Sequence, residues 1–263
     1  METRPMITLT TDYGISDGNV AALKGVIYSI DPRAQVADMV HDVPPFDIVH
    51  GAFVIGTSYM FFPKGTIHVG VVDPGVGTRR RPVLIQTVSG HIFIGPDNGL
   101  FSLVLEREKI RSIHELVNPK YFLPEVSRTF HGRDIFAPVA AHLARGVAAA
   151  KFGRRLQAVQ RLDMFSVQVN KNSVSGQVIH LDHFGNVVTS IPSKLLKEND
   201  RSIVVQVKGH SIRGLSGTFG EVSKGAPLAY AGSSGYLELA LCEGSLATRW
   251  DIQRGAKISV TYK

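Results

Sequence analysis

The feature that most constrains this chain of 263 residues is a change of texture near residue 161. Upstream, segments with the period of strands and of helices alternate; downstream, only short β-branched runs remain, parted by Gly, Ser and Asn turns. Residues 7–11 form a β-run ending at Asp12, and residues 19–30 carry helical apolar spacing stopped by Asp31-Pro32. A second strand is expected over 35–39. Asp47 is placed to cap a helix running to about Tyr59, before Phe61-Phe62-Pro63. Residues 66–72 read as a strand ending at Asp73-Pro74, and 83–87 with 91–95 as a strand pair. An Ala-rich helix is expected over 136–149, with Pro138 tolerable only in its first turn. Beyond residue 161, strands are expected over 174–180, 187–191, 203–207, 228–231, 237–241 and 257–262.

Alternation of this kind predicts an α/β first domain with a mainly parallel central sheet flanked by helices. The second texture predicts a smaller, antiparallel, all-β C-terminal domain. The expected bounds are residues 1–165 and 171–263, with the change falling within 163–171 and no internal repeat.

Composition excludes several classes. Hydrophobic residues make up 44%, as in a globular protein. No apolar stretch reaches the roughly 18 residues of a membrane span, and the mostly polar residues 1–6 do not read as a signal peptide, so a cytoplasmic location is expected. The lone Cys242 excludes an internal disulfide and a Cys-based zinc site. Net charge is +7, but Lys and Arg are scattered and the densest run is Arg79-Arg80-Arg81. This argues against a nucleic-acid stripe, and Arg79 and Arg81 read as solvated charges.

Open α/β sheets place ligands at the carboxyl ends of their strands. Three candidate loops there carry unusual polar residues: Thr10-Thr11-Asp12-Tyr13-Gly14, the stretch from Asp73 to Arg80, and Thr129-Phe130-His131-Gly132-Arg133-Asp134. Each residue has an ordinary alternative. Asp12 reads equally as a cap, Asp73 before Pro-Gly as a turn former, His131 as a bonded core histidine and Asp134 as a helix cap. Asp12 with Asp17 and His41-Asp42 also admits a metal-dependent nucleoside hydrolase, though Gly18 stands where that loop needs a second acid.

As an ordered set the motifs say more. With Gly95-Pro96-Asp97-Asn98-Gly99, Asp182-His183-Phe184-Gly185-Asn186 and Gly232-Ser233-Ser234-Gly235-Tyr236-Leu237-Glu238, they resemble the S-adenosyl-L-methionine (SAM) hydroxide adenosyltransferases, relatives of the fluorinases and chlorinases. The resemblance implies hydrolysis of SAM to adenosine and methionine. It assigns Asp12 to the ribose hydroxyls and Phe46 to the nucleoside pocket, where the halogenases have Trp. Phe184 would stack on the adenine and Asn186 would bond its edge, with backbone near Glu243. Asp182 would receive the methionine ammonium, and Ser233 and Ser234 its carboxylate, the second standing where halogenases have Arg. Asp73, Arg80 and His131 would activate water. The halogenases have Tyr at the position of Asp73, and a carboxylate there would repel a halide. No metal or other cofactor is implied. A homotrimer is, with each site between one subunit's first domain and a neighbour's second.

Overall fold

A computed structural model of the chain describes residues 4–196 and 202–262; the first three residues of the polar N-terminal stretch lie outside them. The chain divides into two compact units, Met1–Leu162 and Asp163–Lys263.

The first unit runs β1 (Met6–Thr11), α1 (Asn19–Ile30), β2 (Gln35–Val40), α2 (Ile48–Ser58), β3 (Ile67–Val71), β4 (Pro82–Thr87), β5 (Ile92–Pro96), α3 (Ser102–Arg107), β6 (Ile110–Glu115) and α4 (Ala137–Ala144). The strands form one sheet in the order β2-β1-β3-β5-β4-β6. Neighbours from β2 to β5 are parallel. The β4–β5 and β4–β6 pairs are antiparallel, so the sheet is mixed rather than mainly parallel. The reason is local. Four residues, 88–91, join β4 to β5, with Gly90 at φ +104° in the turn, and so short a link only reverses the chain.

Side chains alternate across this sheet. Leu84 and Ile94 join Ile7, Leu9, Leu23, Ile27 and Phe136 in one core cluster. Val83, Ile85 and Phe93 join Ile55, Tyr59, Leu100 and Phe101 in another. Helices α1 and α4 pack together over the first, α2 and α3 over the second. Helix α4 ends before Gly146, at φ +93°, short of the expected residue 149. Pro138 lies in its first turn.

The second unit is antiparallel throughout. Strands β7 (Gln168–Asn170), β8 (Ser173–Leu181), β9 (Val187–Pro192), β10 (Val204–Val207), β11 (His210–Arg213), β12 (Pro227–Ala231), β13 (Tyr236–Leu241) and β14 (Lys257–Thr261) form a sheet ordered β11-β10-β14-β8-β9-β13-β12, with β7 paired to β8. Val174, Val178, Ile191, Leu237, Leu239 and Val260 fill its core. One short helix, α5 (Leu246–Arg249), follows β13. Among the described residues, no helix is long and apolar enough to cross a membrane.

Candidate active site

Strands β1 and β3 are parallel neighbours in which Thr11 stands opposite Val71. Their register brings Asp12 and Asp73 out of the same sheet edge, one and two residues beyond the strand ends. Strand β2 flanks β1, and its loop returns through Phe46. Residues 129–132 complete the surround of a cavity of about 290 Å³, lined by Asp12, Tyr13, Phe46, Asp73, Thr129, His131 and Gly132 among others.

The three residues expected at the reaction centre converge. Arg80 Nε donates to Asp73 Oδ1 at 3.0 Å, and Arg80 Nη2 bonds Asp73 Oδ2. The same Nη2 lies 3.0 Å from His131 Nδ1. The pair is withdrawn from solvent, with side chains 6% and 5% exposed, and the guanidinium rests over the Phe136 ring at 5.5 Å. Because a guanidinium only donates, His131 Nδ1 accepts, and the neutral ring carries its proton on Nε2. Burial, then the charge of Arg80, holds the imidazole below its ordinary range, against the pull of Asp73 and Asp134. Arg80 Nη1 is buried with no hydrogen-bond partner, a rare state for such a donor. Arg80 stands behind Asp73 and His131 rather than among the cavity-lining residues.

Local sequence explains this placement. Gly77, at φ +76°, brings the Asp73–Arg80 loop so close to the main chain of Arg128 that a Cβ would meet its carbonyl oxygen at 2.2 Å. His131 opens a single π-helical turn, Gly132–Phe136, and Asp134 within it accepts from the Ser127 N–H at 2.8 Å and from Arg133. Asp134 is thus a buried tie between loop and helix, not a helix cap. Arg81 is also paired, to buried Asp97, and is not simply solvated.

Asp12 accepts from the Phe46 N–H at 2.9 Å. Phe46 has φ +67°, a strained conformation for an aromatic residue, and its ring is 70% exposed. Burial raises the Asp12 carboxyl above its ordinary range, opposed by backbone donors and helped by the charge of Asp73. His41 does not face a metal position: its ring nitrogens meet Thr11 Oγ1 and Asp38 Oδ1, each at 2.9 Å.

In the second unit a cavity of about 770 Å³ is lined by Asp182, Phe184, Asn186, Ser233 and Glu243, with Tyr230 and Glu238. Asp182 folds its own loop: Oδ1 accepts from the N–H of Phe184 at 2.9 Å and of Asn186 at 2.8 Å, and Oδ2 from Asn186 Nδ2 at 2.8 Å. This leaves the Phe184 ring 74% exposed at the tip. It also engages one of the two Asn186 amide hydrogens. Glu243 has φ +54° and its side chain pairs with Lys224, so its backbone is what the turn presents. Ser234 does not line the cavity. Its hydroxyl donates to Glu238 Oε1 at 2.6 Å, because Glu238 is buried and needs donors; Tyr230 Oη supplies the other at 2.8 Å.

A family model described as the SAM hydroxide adenosyltransferase N-terminal domain matches residues 7–153, and its C-terminal counterpart matches residues 176–259. The chain belongs to the SAM hydroxide adenosyltransferase family. It is 37% identical to the (R)-S-adenosyl-L-methionine hydrolase of Salinispora tropica over 99% of each chain. Identity to a fluorinase of Actinopolyspora mzabensis is 30%, over 98% of this chain and 97% of that one. The fold matches a crystal structure of a conserved protein from Thermotoga maritima with a TM-score of 0.90, at 35% identity over 97% of this chain and 100% of that one.

Thr129, Asn98 and Glu238 stood in the sequence motifs without a role of their own, and Tyr230 was not named. Asn98 holds the loop of Asp73 by donating to the Val72 carbonyl at 2.8 Å. Its place in Gly95-Pro96-Asp97-Asn98-Gly99 was the available signal. A carboxylate within the otherwise apolar run of β13 was the signal for Glu238.

Proposed function

We propose that the chain hydrolyses SAM to adenosine and L-methionine by attack of a water-derived hydroxide at C5′, in line with the sulfonium sulfur. The observation that carries this reading is the convergence of Asp73 and His131 beside Asp12 at one cavity, with Arg80 bonded to both from behind. A buried carboxylate at the nucleophile position disfavours a halide, which sets this reading above the halogenase one.

Asp12 holds the two ribose hydroxyls, a bidentate task for an ionised carboxylate. Phe46 borders the nucleoside. The leaving thioether is neutral and needs no acid, so the difficulty lies in the nucleophile. Arg80 stabilises hydroxide by its charge, standing behind Asp73 and His131 and bonded to both. His131, its Nδ1 engaged by Arg80, donates from Nε2, which leaves Asp73 to accept the water proton. Positioned proton transfer of this kind is worth about 10²–10⁴-fold. As hydroxide meets sulfonium their charges cancel, so a dry site favours the transition state. In the second unit Phe184 stacks on adenine and Asn186 with backbone near Glu243 reads its edge. Asp182 takes the ammonium and Ser233 donates to the carboxylate; Ser234 contributes through Glu238.

The scheme calls for no metal or cofactor, since Arg80 already supplies the cation beside Asp73, and activity should persist in EDTA. A homotrimer in the cytoplasm belongs to the same proposal. The exposed rings of Phe46 and Phe184 at the two cavities support association of copies, as rim aromatics often do. Sedimentation should give three times the 28.6 kDa chain mass. The direct test incubates purified protein with each sulfonium epimer of SAM. Adenosine and methionine should appear in equal amounts from at least one epimer, and intact recovery of both would contradict the reading.

A further inference from the structure

Tyr13 lines the first-unit cavity with Asp73 and His131, yet the scheme above gives it no task. Its ring is held edge-on against Phe130 at 5.6 Å, and Arg133 lies 4.8 Å over the other ring. Its N–H bonds Thr11 Oγ1 at 3.3 Å. So fixed a side chain nonetheless has a hydroxyl with no hydrogen-bond partner among the described residues. A half-buried phenol normally finds one.

A second observation locates that hydroxyl. A Cβ added at Gly132 would lie 2.6 Å from Tyr13 Oη. The phenol oxygen therefore occupies space that any side chain at 132 would take, immediately beside His131. Glycine at this position leaves room for an oxygen on the triad side of the cavity. Burial, and then the charges of Asp12, Asp73 and Asp134, push the phenol above its ordinary range, so it stays protonated and keeps a hydrogen to donate.

We propose that Tyr13 is a further catalytic residue, whose hydroxyl donates a hydrogen bond to the oxygen of the attacking water and to the hydroxide that develops from it. This rests on the hydrolytic reading above. Tyr13 transfers no proton. One water proton passes to Asp73 and then to solvent, the oxygen lone pair forms the C5′–O bond, and the C5′–S pair leaves with sulfur as neutral thioether. The hydroxyl acts on charge that forms only as the reaction proceeds, so its effect falls on turnover and not on substrate binding.

Tyr13→Phe removes one oxygen and keeps the ring against Phe130. Turnover should fall at least about tenfold, while the SAM dissociation constant, measured calorimetrically on the same preparation, stays within twofold. That retained affinity also reports that the variant is folded. Unchanged turnover overturns the proposal. So does a loss of affinity equal to the loss of turnover, which would put the hydroxyl on the ribose instead. Wild-type protein that leaves SAM intact overturns both this proposal and the hydrolytic reading, whereas an active wild type with an equally active variant overturns only this one.

Discussion

Arg80 concentrates the chemistry of the proposed reaction in one guanidinium. It bonds both oxygens of Asp73 and one nitrogen of His131, and it retains a buried donor. A planar fork does this and a single ammonium does not. Arg80→Lys keeps the charge but loses the geometry. We expect turnover to fall about 10²-fold, the scale of one lost transition-state donor, with the SAM dissociation constant nearly unchanged. Steady-state kinetics beside calorimetry separates the two, and equal losses would contradict a role in water activation. At this scale the sequence was informative about residue types and silent about neighbours. An acid, a guanidinium and an imidazole in three loops were legible as candidates. Their convergence came from the β1–β3 register and from Gly77, and no spacing in the chain encodes contacts between residues 51 positions apart. Ser234 shows the converse. Its position in a glycine-rich turn suggested a ligand contact, but buried Glu238 claims its hydroxyl.

Among the elements, the Asp182–Asn186 turn illustrates how few conformations a binding loop is allowed. Gly185 has φ +80°, and a Cβ there would meet Ser245 Oγ at 2.0 Å. Gly185→Ala combines backbone strain with a clash against the residue that caps α5. We expect a destabilisation of about 1–3 kcal/mol, read as a lower denaturant midpoint of the second unit's transition, together with weaker SAM binding. A midpoint within error of wild type would show that the turn adapts. Strand and helix identities were legible wherever apolar period was strong, as in β1, α1, β3 and all six expected strands of the second unit. The mixed sheet was not foreseen, although the pair forming β4 and β5 was expected. The consequence of its four-residue link for sheet direction had not been drawn. Helix α3 and strand β6 are short and carry mixed polarity, so period alone did not mark them.

For the whole molecule, the first unit carries a buried imidazole that the reaction does not use. His68 is 1% exposed, bonded to Thr8 Oγ1 at 2.8 Å and to His91 at 3.2 Å. Burial, then the neighbouring His91, lowers it to about 3 from an unfolded value of 6.5. Between those values the unfolded chain binds the extra proton, so stability falls as pH falls, by about 2 kcal/mol at pH 5. His68→Leu should be less stable at neutral pH, through its stranded partners, yet show a flatter loss of midpoint between pH 6.5 and 5. Parallel slopes in variant and wild type would assign the acid sensitivity elsewhere. Fold and family were legible at this scale because motifs occur in order in both units. Assembly was not, since association depends on surfaces that no periodicity reports.

The central claim is that oxygen from water attacks carbon at the 5′ position. Turnover of SAM in water enriched in ¹⁸O, with the products resolved by mass spectrometry, tests it directly. The account predicts one labelled oxygen in adenosine, at the 5′-hydroxyl, and none in methionine. Unlabelled adenosine, or cleavage that releases adenine instead, would contradict it.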